Sequence, residues 1–365
     1  MLLYVTVQGQ SKIQFSSETQ GGYEYNYFKS PKQILQNGTL LTEDDLISSS
    51  IYQDINLDFD YSKVWEKHRF RASITPRARL FYDNFDDSYW SLVARAKYDY
   101  EISRYTKLFS ELNFRRMNRE GLDGAQDVLI NPLGYTNYGA NAGVEFQPFT
   151  KHTTSVELFY NFRDFDKFGI RDLEFHEFGV QFKTEQKFKP SKRTHRIGVD
   201  GYFKKRLYDT FNASDVIPNG KRDWSYIRLN PYYELPISRY FKIKPSFLYY
   251  VRIDNLEDRS GFTQLGPELK LRFKNDKTKI ISNVSYITRD YKTLNAFDNN
   301  GQTGEKIEYQ YVNFSLDLEH QISKQFFITT SLYSRVRSTN YTDISARSFR
   351  SYRNQYAGIG IKWVF

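Results

Sequence analysis

The chain has no cysteine, only two methionines among its 365 residues, and no apolar run approaching a membrane-spanning helix. A spanning helix needs about 20 consecutive apolar residues, so helical transmembrane architecture is excluded. Without cysteine there is neither a disulfide framework nor Cys-ligated zinc. The absence also suits a compartment in which stray thiols would oxidise. Gly-rich phosphate loops are missing, since Gly21 and Gly22 fall in a strand pattern, and no His pair has ligand spacing. No metal or cofactor is expected. None of His68, His152, His176, His195 or His320 stands two residues before a serine. The nearest case, His152 with Ser155, is three apart, and strand alternation sends such residues to opposite faces. No catalytic residue is therefore assigned, and the chain is not expected to be an enzyme.

Aromatic residues are abundant instead: 30 Tyr, 30 Phe and 4 Trp make 18% of the chain. With a mean hydropathy of -0.66, the sequence is too aromatic for a disordered chain and too polar for a helical membrane protein. The net charge of +9 points to nucleic acid, anionic lipid or an anionic solute, and the placement of the charges must choose.

Alternation with period two dominates from residue 11 onward. Trp90, Leu92, Ala94, Ala96, Tyr98, Tyr100 and Ile102 share one face; Ser91, Val93, Arg95, Lys97, Asp99 and Glu101 share the other. Such a segment is longer than a soluble strand and covers the 9–11 residues needed to cross a bilayer at a tilt. The pattern predicts an all-β chain with strands near 11–28, 48–65, 68–84, 88–103, 107–120, 136–149, 152–168, 173–189, 194–211, 222–238, 242–257, 259–276, 277–294, 307–323, 325–342 and 350–365. That is an up-and-down antiparallel transmembrane barrel of about 16 strands. Pro76, Pro231, Pro245 and Pro267 fall inside these strands, and each must leave a gap in a ladder or sit at a bulge.

Short connections such as Glu66-Lys67 and Thr150-Lys151 alternate with longer ones at 29–47, 121–135, 212–221 and 295–306. Turns reading Ile102-Ser-Arg-Tyr105, Ile237-Ser-Arg-Tyr240 and Ile322-Ser-Lys-Gln-Phe326 repeat at multiples of a hairpin unit of about 44 residues. Short periplasmic turns and long extracellular loops are expected of outer-membrane barrels, and an even strand count puts both termini in the periplasm. Residues 1–10 read as the remnant of a secretory signal peptide and 11–365 as a single barrel domain; an ordinary first strand is the alternative for the opening segment.

The chain ends Tyr356-Ala-Gly-Ile-Gly-Ile-Lys-Trp-Val-Phe365, with Ile359, Ile361, Trp363 and Phe365 in alternation. This resembles the signal read by the outer-membrane barrel-assembly machinery, and with the hairpin pattern it makes the chain similar to Gram-negative porin-like barrels. The resemblance implies an outer-membrane location with lipid and the assembly machinery as partners. Tyr23, Tyr25, Tyr27, Trp65, Tyr82, Trp90, Tyr100, Phe326, Trp363 and Phe365 are expected to form outward aromatic girdles at headgroup level.

Function should then be written on the inward face, because sixteen strands leave an aqueous lumen. Its expected basic residues include Arg69, Arg71, Arg77, Arg79, Arg95, Lys97, Arg115, Arg228, Arg252, Lys270, Arg272 and Arg335. The expected acids include Asp54, Asp58, Asp60, Asp99, Glu268 and Asp317. Opposed charges give a transverse field, and an excess of Arg and Lys favours anions, unless cross-strand pairs simply neutralise the wall. The expectation is a porin-like channel for passive diffusion of small hydrophilic solutes with a mild anion preference. Rivals are a closed barrel whose long loops act in reception, adhesion or export, and a barrel enzyme. Nucleic acid is not expected as a partner, because the basic residues alternate with lipid-facing ones and form no exposed stripe.

Overall fold

In a computed structural model, described over residues 10–119, 133–167, 173–190, 192–208, 222–256, 261–346 and 349–365, the chain is almost wholly strand. The barrel strands are β1 (Gln10–Tyr25), β4 (Ser50–Trp65), β5 (His68–Phe81), β6 (Tyr89–Ser103), β7 (Thr106–Met117), β8 (Tyr135–Phe146), β9 (His152–Phe165) and β10 (Glu174–Phe188) in the first half. The second half is β11 (His195–Tyr208), β12 (Arg222–Pro236), β13 (Phe241–Asp254), β14 (Phe262–Lys274), β15 (Thr278–Asp298), β16 (Gly301–Gln321), β17 (Phe326–Thr339) and β18 (Tyr352–Val364). Each pairs antiparallel with its neighbour, and β18 returns to β1, closing a ring of sixteen. A small hairpin, β2 (Ile34–Gln36) with β3 (Thr39–Leu41), and the single turn α1 (Glu43–Leu46) occupy the connection from β1 to β4.

Closure removes every edge, which is how so many long strands satisfy their backbone groups. The four strand prolines show what this requires. Pro76 pairs with Leu92 of β6 while the β4 ladder lapses between Asn56–Arg77 and Phe59–Ile74. Pro267 pairs with Phe247 of β13, and the β15 ladder lapses between Leu265–Thr288 and Glu268–Ser285. Pro231 and Pro245 both fall in lapses of the β12–β13 ladder. A residue with no N–H is thus paired on one side only.

One parity of each strand carries the exposed apolar residues: Ile51, Ile55 and Phe59 on β4, Leu108 and Leu112 on β7, Leu158 on β9, Ile359 and Ile361 on β18. The other parity carries most of the charges, the outward ones, such as Lys63, Arg116, Asp164, Lys205 and Arg353, standing near strand ends. An apolar exterior around a polar interior inverts the soluble arrangement and matches a barrel in lipid.

Three expectations need correction. The segment 295–306 is no loop: β15 and β16 continue their ladder to Asp298–Gly301, with irregular register beyond Asp290. Alternation there is weak, so the sequence hid the ribbon. The 29–47 connection contains β2, β3 and α1. Tyr27 does not join the outward girdle; it is fully buried and stacks on Phe81 with centroids 4.2 Å apart. Asn26 (φ 55°) and Lys29 (φ 57°) turn the chain inward just after β1, a backbone bend that period-two alternation cannot register. The 212–221 segment and most of 121–135 lie outside the described residues, as do residues 1–9, while Gln10 opens β1. Both described chain ends sit at the short-turn rim, Gln10 opposite Val64 and Phe365 N–H donating to Phe15 O.

Candidate functional site in the barrel interior

The hairpin at Glu66-Lys67 fixes the register of β4 against β5, setting Asp54 opposite Arg79, Asn56 opposite Arg77 and Asp60 opposite Ser73. All four charged side chains share one parity, so they project to the same side of the wall. That side is the interior. A cavity of about 600 Å³ is lined from β15, β16, β17, β18, β1, β4, β5, β6 and β7, consecutive strands making up more than half of the ring. A second cavity of about 370 Å³ shares Val93, Arg95 and Arg115 with it and extends to β11.

The larger cavity is polarised. Glu18, Asp54, Asp58, Asp317 and Glu319 come from β1, β4 and β16, whereas Arg77, Arg79, Arg95 and Arg115 come from β5 to β7; on the acidic side Lys279 of β15 stands opposite Glu319. Much of this charge is compensated locally. Arg79 donates to both Asp54 oxygens (2.7 and 2.6 Å) and to Glu24 (2.6 Å), and Arg71 donates to Asp99 (2.7 Å). Lys97 lies 3.9 Å from Glu111, and Arg228 lies 3.8 Å from Asp200. Lys204 and Arg206 share Glu177 at 3.0 and 2.6 Å. Asp58 accepts from Thr75 and Asp317 from the Ser331 hydroxyl. Arg77 and Arg95 are exposed to the cavity and make no ion pair among the described residues. Arg69 stands opposite Asp99 and Val64; Lys270, Arg272 and Glu268 occupy the same parity on β14, with Glu268 accepting from Ser246.

Toward the long-connection end, the interior holds a feature the sequence reading missed. Arginines alternate with rings around the wall. Arg163 packs over Tyr135 (4.1 Å to the centroid), Arg206 over Phe175 (4.3 Å), Arg252 over Trp224 and Phe262 (both 4.5 Å), and Arg289 over Phe262 (4.5 Å). The series continues with Arg335 over Tyr311 (4.9 Å), Arg337 over Tyr352 (4.4 Å) and Arg79 over Tyr52 (4.0 Å). Register brings these pairs together: Tyr226 stands opposite Arg252, Arg289 opposite Tyr309, and Arg337 opposite Tyr352. Such contacts hold a guanidinium in place by the quadrupole of the ring. A signal was present, because near the long connections the parity that carries Arg also carries Tyr, Phe or Trp.

Two segments narrow the mouth above this belt. Tyr27 and Phe28 fold onto Tyr52, Phe81 and Tyr89, and the Tyr27 hydroxyl donates to Asp87 (2.7 Å). Burial, with the Asp87 carboxylate beside it, pushes the Tyr27 phenol far above its usual range. Phe349, at φ 65°, packs on Tyr291 and Tyr309, centroids 5.9 and 6.4 Å away, and Arg337 donates to the Arg350 carbonyl (2.7 Å). A bulky residue held in the left-handed region marks a segment constrained by its packing.

His152 and Ser155 lie on opposite faces, His152 bonding to Gln186, Thr154 and Thr184. Ile359, Ile361, Trp363 and Phe365 face outward, and Trp363 stacks on Phe326 with centroids 5.5 Å apart.

No protein family and no curated protein matches the sequence. Solved structures do resemble it in shape. Pseudomonas aeruginosa OpdQ is 10% identical with a TM-score of 0.49, covering 97% of each chain. A bacterial polysaccharide outer-membrane secretin is 10% identical with a TM-score of 0.48, covering 97% of this chain and 98% of its own. The siderophore receptor PirA of Pseudomonas aeruginosa is 9% identical with a TM-score of 0.45, covering 97% of this chain and 80% of its own. The chain is a closed sixteen-strand antiparallel barrel.

Proposed function

We propose that this chain is an outer-membrane channel for passive diffusion of small hydrophilic solutes, with a mild preference for anions. The observation that carries the reading is the polarised cavity of about 600 Å³ inside a closed barrel whose exterior is apolar. Water and solutes find charged, hydrated walls there, and lipid finds Ile, Leu and Phe outside. Arg77 and Arg95, exposed to the cavity without ion pairs among the described residues, supply the bias toward anions. In this reading the short turns and both ends of the chain face the periplasm, and the alternation ending at Phe365 is what the barrel-assembly machinery recognises. The protein performs no chemistry of its own.

Planar-bilayer recording tests the proposal. The folded protein is expected to give discrete conductance steps and a reversal potential of the sign for anions in a salt gradient. The inward-folded segments around Tyr27 and Phe349 favour one rival, a barrel closed at its mouth that serves in reception, adhesion or export. A silent bilayer from protein that still shows heat-modifiable electrophoretic mobility would establish that rival.

A further inference from the structure

The two rims of the barrel differ in charge. Seven short connections close one rim, at 66–67, 104–105, 147–151, 189–194, 237–240, 275–277 and 322–325. Every one carries at least one cation: Lys67, Arg104, Lys151, Arg239, Lys277, Lys324 and the three of the 189–194 turn. These nine are all exposed, and the same connections hold only two acids, Glu66 and Asp276. Lys67, Lys151, Lys277 and Lys324 make no ion pair among the described residues. The other rim is mixed with an acidic excess: its described connections hold Glu43, Asp44, Asp45, Asp83, Asp86, Asp87, Asp166 and Asp343 against Lys29, Lys32, Arg119, Lys167 and Arg350.

Exposed rings stand in these connections, Tyr105, Phe149 and Tyr240, and at the adjoining chain segments, Phe326, Trp363 and Phe365. Four of the five histidines stand at the same level on outward parity, bonded to neutral groups: His68 to Tyr98 (2.6 Å), His195 to Tyr233 (2.6 Å), His320 to Thr278 (2.9 Å) and His152 to Gln186 (3.1 Å). Rings with polar tips settle at the headgroup level of a bilayer, which puts the turn cations at the depth of the lipid phosphates. Cations at that depth attract anionic headgroups.

We infer that the short-turn rim is a binding surface for anionic phospholipid, recruiting lipids with net negative headgroups to the leaflet it faces. The inference rests on the membrane reading of the preceding subsection. It concerns the outside of the barrel and is independent of conduction.

Tryptophan quenching by brominated lipid tests it. Trp65 and Trp363 lie at this rim, while Trp90 and Trp224 lie toward the other, so a Trp90→Phe, Trp224→Phe protein reports on the basic rim alone. The full chain, refolded and reconstituted into mixed vesicles, is expected to bind brominated phosphatidylglycerol over brominated phosphatidylcholine on the order of fivefold. The preference is expected to vanish when all nine turn cations, Lys67, Arg104, Lys151, Lys189, Lys192, Arg193, Arg239, Lys277 and Lys324, are replaced by Gln. If that variant fails to refold, high salt applied to the parent must abolish the preference, because exposed charges are screened. Equal quenching by both lipids, or a preference that survives both treatments, overturns the inference and leaves the membrane reading intact. Absence of quenching by either lipid overturns the membrane reading itself.

Discussion

The ring of Tyr52 on β4 lies over its cross-strand partner Gly22 of β1: a Cβ at Gly22 would stand 2.7 Å from Tyr52 Cζ and closer still to the backbone carbonyl oxygen of Ala357 on β18. The same ring covers Gly358 on β18, so one phenol lies across the seam at which the first and last strands meet. Its hydroxyl has no hydrogen-bond partner among the described residues. The contact is one of shape. Gly22→Ala is therefore expected to destabilise the folded barrel by about 1–3 kcal/mol, the usual cost of overpacking. Tyr52→Phe keeps the ring and should change stability little. Mobility of unboiled protein as a function of temperature measures both, and equal losses in the two variants would show that the hydroxyl matters after all.

Arg79 is expected to hold the same seam electrostatically. From β5 it reaches over β4 to Glu24 on β1 and binds Asp54 on the way, with 9% of its side chain exposed. Asn354 of β18 donates to Glu24 (3.0 Å), extending the network across the closure. Arg79→Met leaves two carboxylates without their counter-ion and should cost roughly 3–5 kcal/mol. Adding Glu24→Gln and Asp54→Asn removes the stranded charges and should return part of that loss. Denaturant titration in detergent reads both steps; a triple variant no more stable than Arg79→Met would refute the account.

Arg77 and Arg95 should set permselectivity more than the paired cations do. Replacing both by Ala is predicted to lower the anion-to-cation permeability ratio roughly twofold, because neither is held in an ion pair among the described residues. Replacing Lys97, which stands by Glu111, should matter less. Reversal potentials across a salt gradient supply the comparison, and a larger effect from Lys97 would reverse the assignment.

Phe349→Gly tests the narrowing of the mouth. Glycine adopts φ 65° without the steric cost borne by Phe, but it removes the ring from Tyr291 and Tyr309. Single-channel conductance is expected to rise as the segment loosens. An unchanged step size would place Phe349 clear of the solute path.

How far the sequence could be read follows from what alternation encodes. A strand side chain faces one way or the other by position alone, so the outward Ile359, Ile361 and Trp363 and the cavity-facing Asp54, Arg77, Arg79 and Arg95 share parities visible in the chain itself. Each proline likewise announced a lapse in a ladder, because a missing N–H is a property of the residue. The fold class, the approximate strand count and the sorting of residues between faces were thus determined locally, two residues at a time.

What alternation cannot encode is register around the ring and the path of the chain between strands. Whether Arg71 meets Asp60 or Asp99 depends on which atoms the barrel's stagger brings within reach; the structure gives it Asp99. The ring of arginines on Tyr135, Phe175, Trp224 and Tyr309 exists only once many strands have been aligned. The inward turn of Tyr27 depends on two positive backbone angles, and the prolongation of β15 and β16 beyond the barrel on pairing with each other rather than on pattern. The sequence alone therefore established a barrel with a charged interior, while closure decided which charges stay paired, how the mouth is narrowed and where a solute would meet an unpaired cation, because those outcomes depend on contacts between strands that no single strand's periodicity contains.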